Sequence, residues 1–454
     1  MKDVVVFIPG IAGSLLAKDG KTVWAPQPGA ALRGLFTGLR SVRELKMEGD
    51  DPTLDDLGDG VEATGLCQDL HIIPGLWKID GYSGFRRNLL DRMDLTPGES
   101  YFEMPYDWRR DNRVAARKLQ RLSEQWLAAR RKTYPDAKLT LICHSMGGII
   151  ARIFLEMMGG WRDTRRLITL GTPYSGSFNS LDNLCNGFQV GLWVLKADLT
   201  ETLASFTSVY QLLPSFRCIR LPQGGETVAL DAPGLDLPGI DAGRVAAALA
   251  LHRAIRAAVD DNRADTSYQD DGYRIRPIVG NFVETKNAAR LSAGLLVVTA
   301  DHFGGDGTVP KLSALPHEQL TDADGTDWLN EKHGSLQNNA KTTDGIASLL
   351  QHHNEGLVFT APNINLSVTA ADALVGQEVL VRAETSQPTQ NLRCTVQSIA
   401  TGKTETRAMT QDPDSRTGAV LRLPNLAVGD YRLSVEGAQT NAVTDLVSVV
   451  DPDE

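Results

Sequence analysis

Leu139-Thr-Leu-Ile-Cys-His-Ser-Met-Gly-Gly148 decides the fold. A run of strand-forming residues stops at Ser145, and small residues open a helix directly behind it. That layout predicts a nucleophile elbow, a strained strand-to-helix turn that pushes one hydroxyl out at the top of a sheet. Gly147 and Gly148 let the helix start close to the strand, where a side chain would clash. The commoner pattern has glycine two residues before the serine. Here that place holds Cys143, a small residue the turn can tolerate. Taken alone, the stretch is equally compatible with a serine N-cap on a buried helix.

Two downstream segments shift the balance. Leu295-Leu-Val-Val-Thr-Ala-Asp-His-Phe-Gly-Gly-Asp-Gly-Thr-Val-Pro310 reads as a strand followed by a glycine-rich turn carrying Asp306. Glu331-Lys-His-Gly-Ser-Leu336 places His333 in a polar loop ahead of a helical pattern. The order Ser145, Asp306, His333 is the one an α/β-hydrolase imposes on its triad. His302 precedes the aspartate and violates that order. His317, His352 and His353 follow it and remain competitors for the base.

These residue types are what acyl transfer demands. A serine hydroxyl is a weak nucleophile until a histidine takes its proton, and the histidine needs an anion to fix its tautomer. The oxyanion then needs backbone donors already aimed at it. One expected donor is the amide of Met146, right after the nucleophile. The other is the amide of Ile11, bared by the Pro9-Gly10 turn after Val4-Val-Val-Phe-Ile8. Without the other segments, Pro9-Gly10 is merely a turn.

Phe7-Ile-Pro-Gly-Ile-Ala-Gly-Ser14, Met104-Pro-Tyr-Asp-Trp-Arg109, Cys143-His-Ser-Met-Gly-Gly148, Gly171-Thr-Pro-Tyr-Ser-Gly-Ser177, Tyr210-Gln-Leu-Leu-Pro-Ser215 and Gly305-Asp-Gly-Thr-Val309 occur in one chain. Together they resemble the lecithin:cholesterol acyltransferase family, which includes phospholipid:diacylglycerol acyltransferases and a lysosomal phospholipase. The resemblance covers residues 3 to 355 and implies an α/β-hydrolase with a lid. It implies Ser145 as nucleophile, Asp306 and His333 as its partners, and Ile11 and Met146 as oxyanion donors. Asp107, Trp108 and Arg109 would shape the floor of the site, or form a buried ion pair packed against a tryptophan. Some secreted relatives close a lid loop with an early disulfide. In this chain only Cys67 precedes the elbow, so that bridge has no second cysteine.

Composition agrees with a soluble two-unit protein. The chain has 454 residues, 42% hydrophobic and 22% charged, too many for one compact core. No apolar run approaches the ~20 residues of a membrane-spanning helix. The N-terminus, Met1-Lys2-Asp3 and then five apolar residues, is too short for a secretory signal and serves better as the first strand. Five cysteines (67, 143, 185, 218 and 394) are scattered and fit no metal spacing. That usage predicts a reducing, cytoplasmic setting, with no metal and no other cofactor.

Strands and helices alternate through the hydrolase part, with a helix expected from Asn112 to Thr133. Alternation is lost from about Phe178 to Asp271, which reads as a cap inserted over the site. The cap holds an apolar stretch, Gly187–Leu195, and an alanine-rich helix over Ala242–Ala258. Trp193 in that stretch joins Trp108 as a candidate substrate contact, unless the stretch is simply cap core. Each buried methylene of a long substrate contributes about 0.8 kcal/mol, so a cap of this size suits a lipid.

The hydrolase unit is expected to span 1–358, followed by a second unit over 359–454. Seven short alternating segments succeed one another there: Ile364–Thr369, Glu378–Ala383, Leu392–Ile399, Thr404–Met409, Val420–Leu426, Tyr431–Val435 and Val443–Val450. They predict an all-β immunoglobulin-like sandwich with Tyr431 at a tyrosine corner. Such a unit could bind a protein partner, dock on the hydrolase unit, or act as a spacer.

A net charge of −10 disfavours long-range attraction to anionic membranes and to nucleic acid. Leu32, Leu35, Phe36, Leu39 and Val42, flanked by Arg33, Arg40, Arg43 and Lys46, make a candidate interfacial helix for transient, peripheral membrane contact. A surface helix packed on the cap would look the same. The basic cluster from Arg109 to Lys132 lacks aromatic interleaving and reads as a solvated helix face, not a nucleic-acid site. The acidic run from Gly49 to Gly60 lacks calcium-loop spacing and reads as a solvated loop.

The expected activity is that of a serine acyl-ester enzyme on a phospholipid or other long-chain lipid ester, by hydrolysis or O-acyl transfer. A hydrolase of small soluble esters and a non-catalytic scaffold working through the sandwich are the alternatives.

Overall fold

The computed structural model describes residues 1–25, 42–68, 71–73, 77–190, 197–222, 226–320, 325–352, 364–388 and 391–451. At its centre is a six-stranded sheet built from β1 (Val4–Ile8), β2 (Tyr101–Glu103), β3 (Leu139–His144), β4 (Thr164–Leu170), β5 (Arg274–Gly280) and β6 (Asp327–Leu329). Their spatial order is β6-β5-β4-β3-β1-β2, and every adjacent pair is parallel.

A parallel sheet covered on both faces needs strands apolar on both faces. β1 and β3 are buried throughout. Val4, Val6 and Ile8 point into one core, while Val5 and Phe7 point into the other. That is the period-2 alternation of a strand serving two layers. The first core takes helix α1 (Asn112–Arg130) through Ala115, Ala116, Leu119 and Leu127. Asp111 caps that helix by accepting the amide of Arg113 at 2.8 Å.

Helix α2 (Gly147–Arg152) follows the elbow and runs into a π-helical turn, Ile153–Met157. The cap contains α3 (Phe178–Asn186) and α4 (Ala242–Ala264). It also recruits a hairpin from beyond residue 271. Val283–Ser292 and Leu295–Gly305 pair antiparallel and join Ile219–Arg220 and Thr227–Val228 in a four-stranded sheet. The strand leading to Asp306 therefore belongs to the cap sheet, not to the central one. Ala289 and Leu296 share a core with Leu181 and Leu184 of α3, which explains why the hairpin folds over the cap.

The C-terminal unit is a sandwich of a four-stranded and a five-stranded sheet. The seven expected strands are present, with two-residue strands Ala373–Leu374 and Thr410–Gln411 added at the edges. Val379, Val381, Leu433, Val435 and Val447 fill its core. Tyr431 donates its hydroxyl to the carbonyl of Ala427 at 2.9 Å, closing the corner. The fold class is thus α/β-hydrolase followed by an all-β sandwich.

Two charged runs expected to face solvent instead face each other. Arg110 bonds Asp50 at 3.0 Å, while Arg117 and Arg121 share Asp55 at 3.1 and 2.6 Å. The acidic loop is the counter-charge of the basic helix face, two segments some sixty positions apart. Of the candidate interfacial helix, Leu32, Leu35, Phe36 and Leu39 lie outside the described residues, whereas Val42 packs beside Phe188 and Leu199. Among the described residues no helix is long and apolar enough to cross a membrane.

Candidate active site

The central strands deliver their loops to one edge, where three side chains meet. β3 ends at His144, and Ser145 takes φ +51°, a left-handed conformation that costs a non-glycine residue about 1–3 kcal/mol. The turn survives because its neighbours over-determine it. A Cβ on Gly147 would stand 2.6 Å from the Ile8 carbonyl oxygen, and one on Gly148 2.1 Å from Thr172 Oγ1. Only glycine lets α2 start this close to β1 and β4. Cys143 is wholly buried, and burial pushes its thiol well above the usual range, so it fills space and is not a nucleophile.

His333 Nε2 lies 2.9 Å from Ser145 Oγ, and His333 Nδ1 lies 2.7 Å from Asp306 Oδ2. The other carboxylate oxygen of Asp306 accepts the amides of Thr308 (2.9 Å) and Val309 (2.7 Å). With Asp306 accepting only, the imidazole proton belongs on Nδ1 and the Nε2 lone pair faces the serine. The His333 amide donates to the Asp306 carbonyl at 2.8 Å, so main chain and side chain fix the same pair. All three residues are buried.

Around this trio runs a set of contacts that the sequence did not announce. Gly10 donates its amide to the Tyr82 hydroxyl at 3.2 Å, and that hydroxyl stands 2.9 Å from His144 Nδ1. His144 Nε2 stands 3.0 Å from the His333 carbonyl oxygen. Tyrosine has one proton to give, so it goes to His144 Nδ1, and His144 Nε2–H donates onward to His333. Burial, reinforced by His333 nearby, holds the His144 pKa down to about 3. Its neutral ring is thus a pure spacer between the two loops.

The amides of Ile11 and Met146 have no protein acceptor among the described residues. A Cβ on Gly10 would stand 2.8 Å from Ser145 Cβ, so the loop bearing Ile11 presses directly on the serine. Residues 106–108 brace that loop. Tyr106 donates its hydroxyl to the Pro9 carbonyl (2.9 Å) and its amide to Ser14 Oγ (3.1 Å), while Trp108 Nε1 donates to the Ser14 carbonyl (3.0 Å). Trp24 adds a bond to the Ala12 carbonyl at 2.9 Å.

A cavity of about 140 Å³ opens beside Ser145. Ile11, Pro173, Leu203, Val209 and Leu212 form its apolar wall; Ser177, Asn179, Ser180 and Asn183 form a polar one. Trp108 is not part of either. It packs edge-on against Trp24 and Phe206, at 5.2 and 5.6 Å between ring centres, because its indole is spent on bracing the loop. Trp193 lies outside the described residues. Arg109 is fully buried between Asp107 (2.6 Å) and Asp59 (2.9 Å), the buried ion pair that was the plainer alternative.

The competing histidines separate from the site. His317 holds Asp260 and Glu318, each at 3.1 Å, and these carboxylates, Glu318 foremost, raise its pKa. A ring with both nitrogens committed to carboxylates is a poor base. His353 and the side chains of His302 and His352 lie outside the described residues. A larger cavity of about 890 Å³ sits at the seam between the hydrolase unit and the sandwich, away from Ser145. Among the described residues no cluster of His, Cys, Asp and Glu could hold a metal ion.

Residues 78–233 match the family model described as lecithin:cholesterol acyltransferase. The resemblance drawn from the motifs holds across this segment, which carries Pro105-Tyr-Asp-Trp-Arg109 and the elbow. No curated protein matches. Among solved structures, the chain is similar to the lipase BlEst2 of Bacillus licheniformis in propeptide form, at 15% identity and TM-score 0.33, over 98% of this chain and 73% of that one. It is also similar to the product of gene lin2722 from Listeria innocua, at 10% identity and TM-score 0.29, over 77% of this chain and 94% of that one. At such scores the superpositions are loose, and the fold stands on the strand order itself.

Proposed function

We propose that this protein is a serine-dependent acyl-ester enzyme acting on a phospholipid or other long-chain lipid ester. The observation that carries the proposal is His333, bonded to Ser145 on one ring nitrogen and to Asp306 on the other. Ser145 Oγ attacks the ester carbonyl as His333 Nε2 takes its proton. The carbonyl oxygen gains charge in front of the Ile11 and Met146 amides; one such donor is worth about 3–4 kcal/mol. His333 then protonates the departing alcohol, leaving the acyl group on Ser145. Water completes a lipase reaction, and an acceptor hydroxyl completes an acyl transfer; both use the same groups.

The lipid assignment draws on the family match over 78–233. In this proposal the units divide at 358/359, the cap covers the acyl chain, contact with a lipid surface is peripheral, and the setting is the reducing cytoplasm. A hydrolase of small soluble esters is the second reading, favoured by the small, partly polar cavity of about 140 Å³ beside Ser145.

Turnover of p-nitrophenyl esters from acetate to palmitate separates the two. The lipid proposal expects kcat/KM to rise with chain length, and a strong preference for acetate sinks it. A fluorophosphonate probe that fails to label Ser145 in folded protein would remove the enzyme reading and leave a scaffold. Mass spectrometry of lipid products with and without alcohol acceptors then distinguishes hydrolysis from transfer.

A further inference from the structure

His333 follows one of the two short edge strands of the central sheet. β6 is three residues long and, among the described residues, pairs on one side only, with β5. An edge strand that short gives its following loop little rigidity of its own. Yet Nε2 of His333 has to stay within hydrogen-bond reach of Ser145, where an ångström of drift costs about a hundredfold in rate.

Beyond the bonds from Asp306 and His144, further support comes from the C-terminal sandwich. Glu331 accepts the amide of Thr444 at 3.1 Å, and Lys332 Nζ pairs with Asp445 Oδ2 at 2.6 Å. Both partners lie on the strand Val443–Val450. Past the histidine, Gly334 accepts the amide of Asp80 at 2.9 Å, and Asp80 is paired with Arg432 of the sandwich. Lys341 reaches Asn441 at 2.8 Å. Asp445 is itself locked, with its carboxylate accepting the amides of Ala370 and Leu446, each at 2.8 Å. Residues on both sides of His333 are thereby tied, directly or through Asp80, to a rigid β-sandwich.

We infer that the C-terminal sandwich positions the catalytic histidine, with Lys332–Asp445 and Glu331–Thr444 as the clamp on its loop. Lys332 and Glu331 are positioning residues: they touch no reacting atom and act through the place they give His333. The inference rests on the proposed role of His333 as base. It assigns the sandwich a task within the reaction, beyond that of spacer.

The test uses the full chain and the variants Lys332→Met and Asp445→Asn; the latter keeps an oxygen for only one of the Ala370 and Leu446 amides, which bond different carboxylate oxygens, so Lys332→Met is the cleaner of the two. Hydrogen exchange of the segment 329–338 reads the clamp without any turnover. Protection in that segment is expected to fall at least tenfold in both variants, with the central strands unchanged. Turnover of a p-nitrophenyl ester is expected to lose at least tenfold in kcat with KM within twofold, Lys332→Arg restoring most of it. The double variant should be no worse than the worse single one, because one contact is lost once. Unchanged protection of 329–338 in both folded variants overturns the inference. So does a loss confined to KM, or losses that multiply. If turnover proves independent of Ser145, the acyl-ester proposal fails, while the exchange measurement still decides whether the sandwich holds the loop.

Discussion

The imidazole of His144, the residue just before Ser145, holds the carbonyl of His333 at 3.0 Å. With Tyr82 on its other nitrogen and Gly10 beyond, it closes a path of hydrogen bonds from the loop bearing Ile11 to the loop bearing His333. Replacing Tyr82 by Phe deletes the hydroxyl at the middle of that path. Gly10 N–H and His144 Nδ1 are then both buried without partners, at about 1–3 kcal/mol each. Tyr82→Phe is therefore expected to lower unfolding free energy by about 2–6 kcal/mol. It should also reduce kcat more than it raises KM, because in the proposed mechanism the loops it joins meet at the reacting carbonyl. Urea denaturation and steady-state kinetics on one preparation check both; an unchanged kcat would show that the loops hold their places without it.

Asp306→Asn has a geometric consequence at His333. The Thr308 and Val309 amides need an oxygen facing them, so the new amide nitrogen is forced toward His333 Nδ1. Two donors cannot face each other, and the imidazole proton moves to Nε2, the side that has to accept from Ser145. A loss of about 10⁴ in kcat is expected, with the fold intact. Ester turnover together with circular dichroism measures it, and a loss below tenfold would mean that Asp306 does not set the tautomer.

His317 and His333 are the two described histidines, downstream of Asp306, that can be compared directly. His317 is tied between Asp260 and Glu318, and Arg152, buried at 2.7 Å from Glu318, helps hold that carboxyl down to about 2. His317→Ala is expected to change stability and leave kcat within about threefold, whereas His333→Ala loses at least about 10⁴. The opposite pattern would reassign the base.

How much of this was legible depended on how local the determinants are. The elbow was readable because strand, serine and Gly147-Gly148 are contiguous and the clash that demands glycine lies in the same turn. The seven main sandwich strands were readable from alternation, while Ala373–Leu374 and Thr410–Gln411 are too short to show a period. Tyr82 carried no signal, since its bond to His144 spans 62 positions. Trp108 looked like a substrate contact because an aromatic beside charged residues fits a site wall and a loop brace alike. The hairpin over 283–305 alternates as any strand does, and only its packing on α3 assigns it to the cap. The acidic and basic runs each resembled a solvated surface, because their pairing is visible in neither run alone.

Glu331, in the clamp beside His333, makes the seam between the two units sensitive to pH. Burial, with Asp80 adding repulsion, raises its carboxyl from 4.5 to about 7, against the pull of the Lys332 and Thr444 amides and Asn339. Below pH 4.5 it is protonated in folded and unfolded chains alike. Between 4.5 and 7 the unfolded chain releases the proton while the folded chain keeps it, so stability falls as pH rises. Above about 7 both forms are ionised and the loss levels off, having reached roughly 3 kcal/mol. His144 works in the opposite sense: its depressed folded pKa contributes stability that is lost as pH falls from 6.5 towards 3. The wild-type curve therefore mixes the two, and the difference from Glu331→Gln isolates the carboxyl. Glutamine keeps an oxygen for the two amides, but its NH₂ group faces the NH₂ of Asn339, whose oxygen is held by the Lys341 amide at 2.9 Å; that cost is the same at every pH and shifts the difference curve without changing its slope. The Gln variant is expected to gain about 3 kcal/mol on wild type between pH 4.5 and 7.5. Urea titrations at half-unit pH steps read that difference, and a flat difference curve would mean that Glu331 is ionised at the seam throughout.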